Sequence, residues 1–350
     1  MVPPDVDFLF QQREELAIVE YKSSFPFSSE FIDRIQNYKG VDRVSVINPV
    51  MPVISGRQTG MPFNSFRSLL EYSDKNRADL GESGLNYEMC ISGLSETELN
   101  QKMDDIIQII HRSIDIGLKG THYKDRILHQ QSHLIGKAEK EGRLKDPFIN
   151  NIIANIAALM ESKSGMEVIV ALPTAGSCGT VGGLLRALSE YWGSANNEVI
   201  KAYFAAGIVG VLFAQGPGFS AEEHGCQVEC GAASGMAAAA VVQLMRGSAR
   251  QALGAASMAI QNMIGLVCDP VADRVEVPCL GKNISAAVNA YSSAAMAIAG
   301  FDEVIPLDQV IDTVSEVSKS MPACVKCTGK GGLSVTDASL FLKRKLQAGG

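Results

Sequence analysis

Four segments constrain the fold more than any other feature of the chain: residues 232–245, 250–264 and 284–299 are rich in alanine, and 308–320, which has no alanine, carries small serines instead. Small side chains let helices approach closely, so the pattern predicts a tightly packed helical body. Residues 202–213 and 232–245 are strongly apolar. Each falls short of the roughly 20 residues that a membrane helix needs, so both read as buried core helices.

The 350 residues are 46% apolar and 20% charged, enough for one sizeable core or a core with a small satellite domain. Lys and Arg number 31 against 38 Asp and Glu, a net charge of −7. No block of like charge and no basic run interleaved with aromatics occurs, which argues against nucleic acid or an anionic membrane as partner. The opening MVPPDVDFLF lacks a basic region and a small-residue cleavage site, so a cytoplasmic chain is expected. Eight cysteines, at 90, 178, 226, 230, 268, 279, 324 and 327, are then expected to stay reduced. Ligand or catalytic duty suits them better than disulfides.

Fold class is expected to be mainly α, with a small N-terminal β-α-β segment. Residues 16–21 read as a strand, and Ser28 caps a short helix with Phe31, Ile32, Ile35 and Tyr38 on one face. Gly40 stops that helix, and residues 41–47 alternate as a half-buried strand would. Residues 48–60 read as a linker. From Phe63 onward the chain is mostly helical. Its clearest element opens with the capping box Ser95-x-x-Glu98, presents Met103, Ile106, Ile107, Ile110 and Ile114 on one face, and ends at Gly117 and Gly120. Residues 167–173, EVIVALP, predict a short strand leading into the loop TAGSCGTVGG and a helix over 184–192. A phosphate-binding turn is the competing reading there, although neither nucleotide-binding glycine motif is present.

Cys226 in EEHGCQVECG, Cys268 in GLVCDPVAD and Cys279 in VEVPCLGKN stand in unusual local settings. Pro270 and Pro278 forbid helix continuation nearby, which predicts thiols presented from turns, and Gly225 allows close backbone approach to Cys226. Each cysteine alone also fits a small buried hydrophobe. The separations of 41 and 10 residues match neither a zinc finger nor a compact ferredoxin run, so spacing leaves zinc and iron–sulfur open.

The segments GCQVECGAASGMAAAA, IGLVCDPVADRVEVPC and ALPTAGSCGTVGG, with FNSFRSLLEYSDKN upstream, closely resemble the α portion of the iron–sulfur-dependent bacterial L-serine dehydratases, over roughly residues 63–333. The resemblance implies a [4Fe-4S] cluster ligated by Cys226, Cys268 and Cys279, with one iron free to act as Lewis acid on L-serine. Loss of the α-proton and of hydroxide would then give aminoacrylate, which hydrolyses to pyruvate and ammonia. It further implies substrate-orienting groups at Thr174, Gly176, Ser177 and Gly179, in the A-P-T-x-G loop, and at Asn283. Glu223 matches a family glutamate that would serve as base or support the cluster. An ordinary solvated carboxylate is the competing reading. Residues 1–60 resemble the closing half of an ACT domain with its linker, 61–340 the cluster-binding domain, and 341–350 a tail.

Several features depart from the family. The β portion, with its S-S-H-T substrate loop, is absent, which implies a separate β subunit, or a chain acting alone, possible as a homodimer. Lys163 stands where the family has asparagine, and a G-x-T-G-G-D segment is not recognisable at 121–135. His224 stands where glycine is expected. The family's R-E-T is replaced by Lys326-Cys327-Thr328, so Lys326 offers a point charge where a bidentate arginine contact would be made. Cys324 and Cys327 form a C-x-x-C that reads as an incidental pair, and no cysteine ends the chain. These departures keep two other readings open: a cluster-dependent lyase for another small β-substituted amino acid, and a non-catalytic iron–sulfur or zinc protein.

Overall fold

The structure is a computed structural model that describes residues 6–13, 16–23, 27–46 and 61–348. The chain divides into two compact units, Met1–Val53 and Ile54–Gly350.

In the first unit, β1 (Val6–Arg13) pairs antiparallel with β2 (Leu16–Ser23), in register from Val6↔Ser23 to Arg13↔Leu16. Helix α1 (Ser29–Gln36) follows. The Ser28 hydroxyl accepts from the Phe31 amide at 3.2 Å, which fixes the expected start. The order β-β-α corrects the expected β-α-β. Residues 41–46 lie in no strand, and β2 pairs instead with the segment immediately before it in sequence. The linker at 48–60 lies outside the described residues.

The second unit is helical. Its elements are α2 (Phe66–Asn76), α3 (Leu80–Ser92), α4 (Glu96–Lys119), α5 (Ser132–Lys140), α6 (Pro147–Ser164), α7 (Cys178–Trp192), α8 (Asn196–Ala214), the single turn α9 (Ala221–His224), α10 (Cys230–Leu244), α11 (Ala249–Gln261), α12 (Cys279–Ile298), α13 (Leu307–Ser320) and α14 (Asp337–Ala348). Helix α14 includes most of the segment expected as a tail. Residues 167–173 form an irregular connection where a strand was expected, and α7 begins at Cys178, six residues before the predicted start.

Helix α10 is the axis of this unit. Every residue from Cys230 to Gln243 is buried, and α7, α8, α11 and α12 pack around it. A helix apolar on all sides has to be enclosed in this way. Helix α8 is long and apolar enough by composition to cross a membrane, yet 67% of that window is buried inside the fold, as expected of a core helix.

The capping box of α4 forms as read: the Ser95 amide donates to Glu98 Oε2 at 2.9 Å and the Glu98 amide to Ser95 Oγ at 3.4 Å. Ile107, Ile110 and Ile114 are buried below it. Gly120 caps the helix with φ 114°, whereas Gly117 lies inside it and has a different role. A Cβ at Gly117 would stand 1.9 Å from the carbonyl oxygen of Ala158 in α6, so hydrogen alone permits that crossing. The obstacle is backbone, which cannot rotate away.

Gly117→Ala should therefore destabilise the fold by about 3 kcal/mol, at the upper end of overpacking costs. Urea unfolding measures this; an unchanged midpoint would show that α4 and α6 can separate freely.

Candidate active site: a buried group of thiols

Two connections between helices and one helix start carry the three predicted thiols. Cys226 opens a short 3-10 turn after α9. Gly225 before it has φ 74°, and a Cβ there would meet Met321 Cε at 2.8 Å and the Leu266 carbonyl oxygen at 3.0 Å, so glycine is required. Gln227, fully buried, anchors the turn: its amide N–H donates to the Leu266 carbonyl at 3.1 Å, its Oε1 accepts from the Gly265 amide at 2.9 Å, and its Nε2 donates to Ser318 Oγ at 2.8 Å. Cys268 sits in an extended stretch that pairs with Lys326. Its amide donates to the Val325 carbonyl, and the Cys327 amide donates back to its own carbonyl, both at 2.8 Å. Cys279 is the first residue of α12, just after Pro278. This corrects the expectation that Cys279 is presented from a turn, because proline is tolerated where a helix starts.

Asn283, one turn further along α12, joins these parts. Its Nδ2 donates to the Gly176 carbonyl at 2.8 Å and the Cys279 carbonyl at 2.9 Å. Its Oδ1 accepts from the Thr180 amide at 2.9 Å and hydroxyl at 3.0 Å. The Cys230 sulfur lies 3.8 Å from Nδ2. One buried amide thus ties the 174–180 loop to the Cys279 helix and to the start of α10.

Cys226, Cys230, Cys268 and Cys279 are buried thiols without disulfides. Cys226, Cys230 and Cys268 pack together in one small buried cluster with Ala221 and Ala286, and Cys327 packs against it. The Cys230 thiol donates to Cys226, which lowers the Cys226 pKa against the opposing effect of burial. Burial, and then the nearby Cys226 charge, push Cys279 up to about 12. Cys268 is raised by burial and by its contact with the Cys327 thiol. These are the marks of like groups crowded into a medium of low dielectric.

Two cations and one carboxyl border the thiols. Lys282 Nζ donates to the Val267 carbonyl at 2.6 Å and to Asp269 Oδ1 at 3.0 Å. Burial alone would lower its pKa, but the negative charge at Cys226 and the Asp269 hydrogen bond carry it above the usual lysine value. The Lys163 ammonium donates to the Val275 carbonyl, and its charge acts on Cys279 and Glu229. Glu229 is raised, chiefly by burial, although the Thr174 hydroxyl donates to its Oε1 at 2.7 Å and opposes the shift.

The expected substrate loop separates into two roles. Thr174 and Gly176 face Glu229; a Cβ at Gly176 would lie 3.0 Å from Glu229 Oε1. Ser177 is turned inward, with its hydroxyl donating to the Leu172 carbonyl at 3.2 Å, and Gly179 packs against Met160 of α6. Glu223 is not gathered with the thiols. Its side chain is 74% exposed and lies 3.5 Å from His224 Nε2, because the single turn α9 points it into solvent. Lys326 is also committed elsewhere, its ammonium donating to the Ser318 carbonyl at the end of α13. Sequence reasoning missed Glu229, Cys230 and Lys282 as members of the site. The spacing Cys226-x-x-x-Cys230 was the available signal.

Among the described residues, no three His, Cys, Asp or Glu side chains converge on one metal ion. A cubane makes a different demand, because it spreads its thiolates over separate irons. Soft sulfur donors, buried and bordered by ammonium groups, suit an anionic iron–sulfur cluster better than a hard cation.

The fold and this site define a predominantly helical domain whose reactive groups are gathered on the connections around one buried helix. The chain belongs to the serine dehydratase alpha chain family, whose model matches residues 38–334. The match therefore begins well before Phe63. Among the relatives, a Bacillus subtilis protein named probable L-serine dehydratase, alpha chain, is 33% identical over 288 residues, covering 82% of this chain and 96% of its own length. The L-serine dehydratase alpha chain of Peptoniphilus asaccharolyticus is 32% identical, covering 80% and 97%. L-serine dehydratase 1 of Escherichia coli is 32% identical, covering 78% of this chain but only 62% of that longer protein.

Asn283→Ala should destabilise the protein by about 3 kcal/mol, since it strands the Thr180 amide and the Gly176 carbonyl in the interior. Thermal and urea unfolding test this. A loss under about 1 kcal/mol, the scale of a single exposed hydrogen bond, would show that the clamp is dispensable.

Proposed function

We propose that this chain is the cluster-bearing part of an L-serine ammonia-lyase, converting L-serine to pyruvate and ammonia. One observation carries the reading: in a chain of the serine dehydratase alpha chain family, the widely separated Cys226 and Cys268 pack in one buried cluster, and Cys279 lies within electrostatic reach of Cys226. In this reading Cys226, Cys268 and Cys279 hold a [4Fe-4S] cluster. When bound, the cluster supplies a Lewis-acidic iron able to polarise a hydroxyl leaving group.

The chain's own residues supply the remainder. Lys282 and Lys163 place positive charge beside the thiols, where a substrate carboxylate is drawn in and held. Thr174 fixes the Glu229 carboxyl through its hydroxyl. Burial raises Glu229 above the ordinary carboxylate value, which makes it a stronger proton acceptor, and Glu229 Oε1 is our choice for the acceptor of the α-proton. Glu229 takes this role in place of Glu223, which faces solvent. A separate β chain completes the substrate site, consistent with relatives named as alpha chains.

Anaerobic purification should give a brown protein with about four iron and four sulfide per chain. Pyruvate should form from L-serine, alone or after adding a β chain. Cys268→Ala should lose colour and activity together. Glu229→Gln should keep the colour and lose activity by at least about a hundredfold, the scale of general-base catalysis. Zinc at about one per chain without sulfide would overturn the cluster. A coloured protein that releases no pyruvate even with its β chain would overturn the activity.

A further inference from the structure

Glu276 is a buried carboxyl that the proposed chemistry leaves unused. It lies in the turn 275–278 that delivers Cys279 to the site, and it is 6% exposed. Its Oε2 accepts from the Ile127 and Leu128 amides at 3.1 and 3.0 Å, in the connection 120–131 between α4 and α5. Those amides have to find an acceptor, because a buried N–H left unpaired costs more than its bond contributes. The Glu276 carbonyl accepts from the Leu280 amide at 3.1 Å, which closes the first turn of α12 around Cys279. One residue therefore holds the 120–131 connection with its side chain and the Cys279 turn with its backbone.

The connection has a second anchor of the same kind. Glu161 of α6, 3% exposed, accepts through Oε1 from the Gln131 and Ser132 amides at 2.6 and 2.9 Å. Between the two anchors packing is incomplete. A small cavity lies among Tyr123, Arg126 and Leu128 of the connection, Met160 and Ser164 of α6, and Leu280 of α12. Side chains alone therefore do not fix the connection against α12, and the two carboxyls supply what packing leaves out. They differ in where they stand: Glu161 is inside a long helix, whereas Glu276 is on the short turn that ends at a thiol.

We propose that Glu276 is a positioning residue, which fixes the Cys279 thiol by tying its turn to the backbone of residues 127 and 128. Its consequence for catalysis rests on the reading that Cys279 is a cluster ligand, whereas the placement of the thiol does not. What the role demands is reach. One oxygen has to meet two neighbouring amides, so Glu276→Gln, of equal length and still an acceptor, preserves the tie. Glu276→Asp keeps the charge but is one methylene short, so it draws the turn and the connection out of register or leaves the amides unpaired.

Iodoacetamide labelling of Cys279 in the full chain, freed of iron and read by mass spectrometry, tests this. Cys279 is 7% exposed, so wild type should label slowly, and Glu276→Gln at the same rate. Glu276→Asp should label several-fold faster. Glu161→Asp loosens the same connection at its other anchor; it should lower the urea midpoint as much as Glu276→Asp does, yet leave Cys279 labelling at the wild-type rate. Loaded anaerobically, Glu276→Asp should release iron to a chelator several-fold faster than wild type, and Glu276→Gln should not. Hydrogen exchange in wild type needs no variant: the 127–128 amides and the Leu280 amide should open together as one unit. Equal labelling of Cys279 in wild type and Glu276→Asp, the same acceleration in Glu161→Asp, or 127–128 amides that exchange much faster than Leu280 would overturn the role. A wild type that takes up no iron and sulfide would instead remove the ligand reading, while the labelling result still decides how Cys279 is placed.

Discussion

Close approach of helices around α10 is the constraint on which everything else depends. The buried stretch from Cys230 to Gln243 is built from alanine, glycine and serine with few larger residues, so neighbouring helices meet its backbone closely. Several polar groups in this region bridge the helices. Ser234 donates to the Ala286 carbonyl at 2.8 Å, and Asn289 of α12 donates both to Ser234 at 2.9 Å and to the Ala259 carbonyl of α11 at 2.8 Å. Three helices are thereby fixed in rotation as well as distance. Because α10 begins at Cys230 and α12 begins at Cys279, the same packing brings two cysteine-bearing helix starts together.

Rigidity of the frame explains why the reactive groups lie on connections and at the first turns of helices. Helix interiors spend their backbone donors and acceptors on one another, while the turns at 225–228 and 265–269 leave theirs free for Gln227, Val325 and Cys327. Precise thiol placement then needs few side chains, each buried and fully engaged. Gln227 and Asn283 do this on opposite sides of the site, one gripping α13, the other the 174–180 loop. Functional groups on loops held by a packed scaffold are a general solution, and here the scaffold is made of residues too small to interfere.

What could be read from the sequence follows from this division. The Ser95 capping box and the alanine-rich helices are local patterns, and local physics decides them. The β-branched runs at 41–47 and 167–173 misled for the opposite reason, because strand propensity needs a partner edge. At 167–173 none is offered, and the Val168 carbonyl is met by Ser113 of α4 at 2.6 Å. At the site, the cysteines were legible from their glycine and proline neighbours. Glu229 and Lys282 were not, since their importance arises from contacts with Thr174 and Asp269, distant in sequence or set by loop geometry. Glu223 and Glu229 are six residues apart and similar in composition; only the change from α9 to the following 3-10 turn sends one outward and the other in.

The charge balance of the site points in one direction. Burial raises Cys268 and Cys279, and the hydrogen bond to Cys226, followed by burial, raises Cys230, so the protein alone favours neutral thiols at most of these positions. The nearest cation, Lys282, is already shared with Asp269, and Lys163 donates to a carbonyl. Neither is free to balance several thiolates at once. A group of thiols made this reluctant to ionise becomes a strong ligand set only for a partner that brings concentrated positive charge to the sulfurs themselves, because metal coordination deprotonates a thiol outright. The low dielectric that penalises uncompensated thiolates also strengthens their attraction to any positive charge brought to the sulfurs themselves.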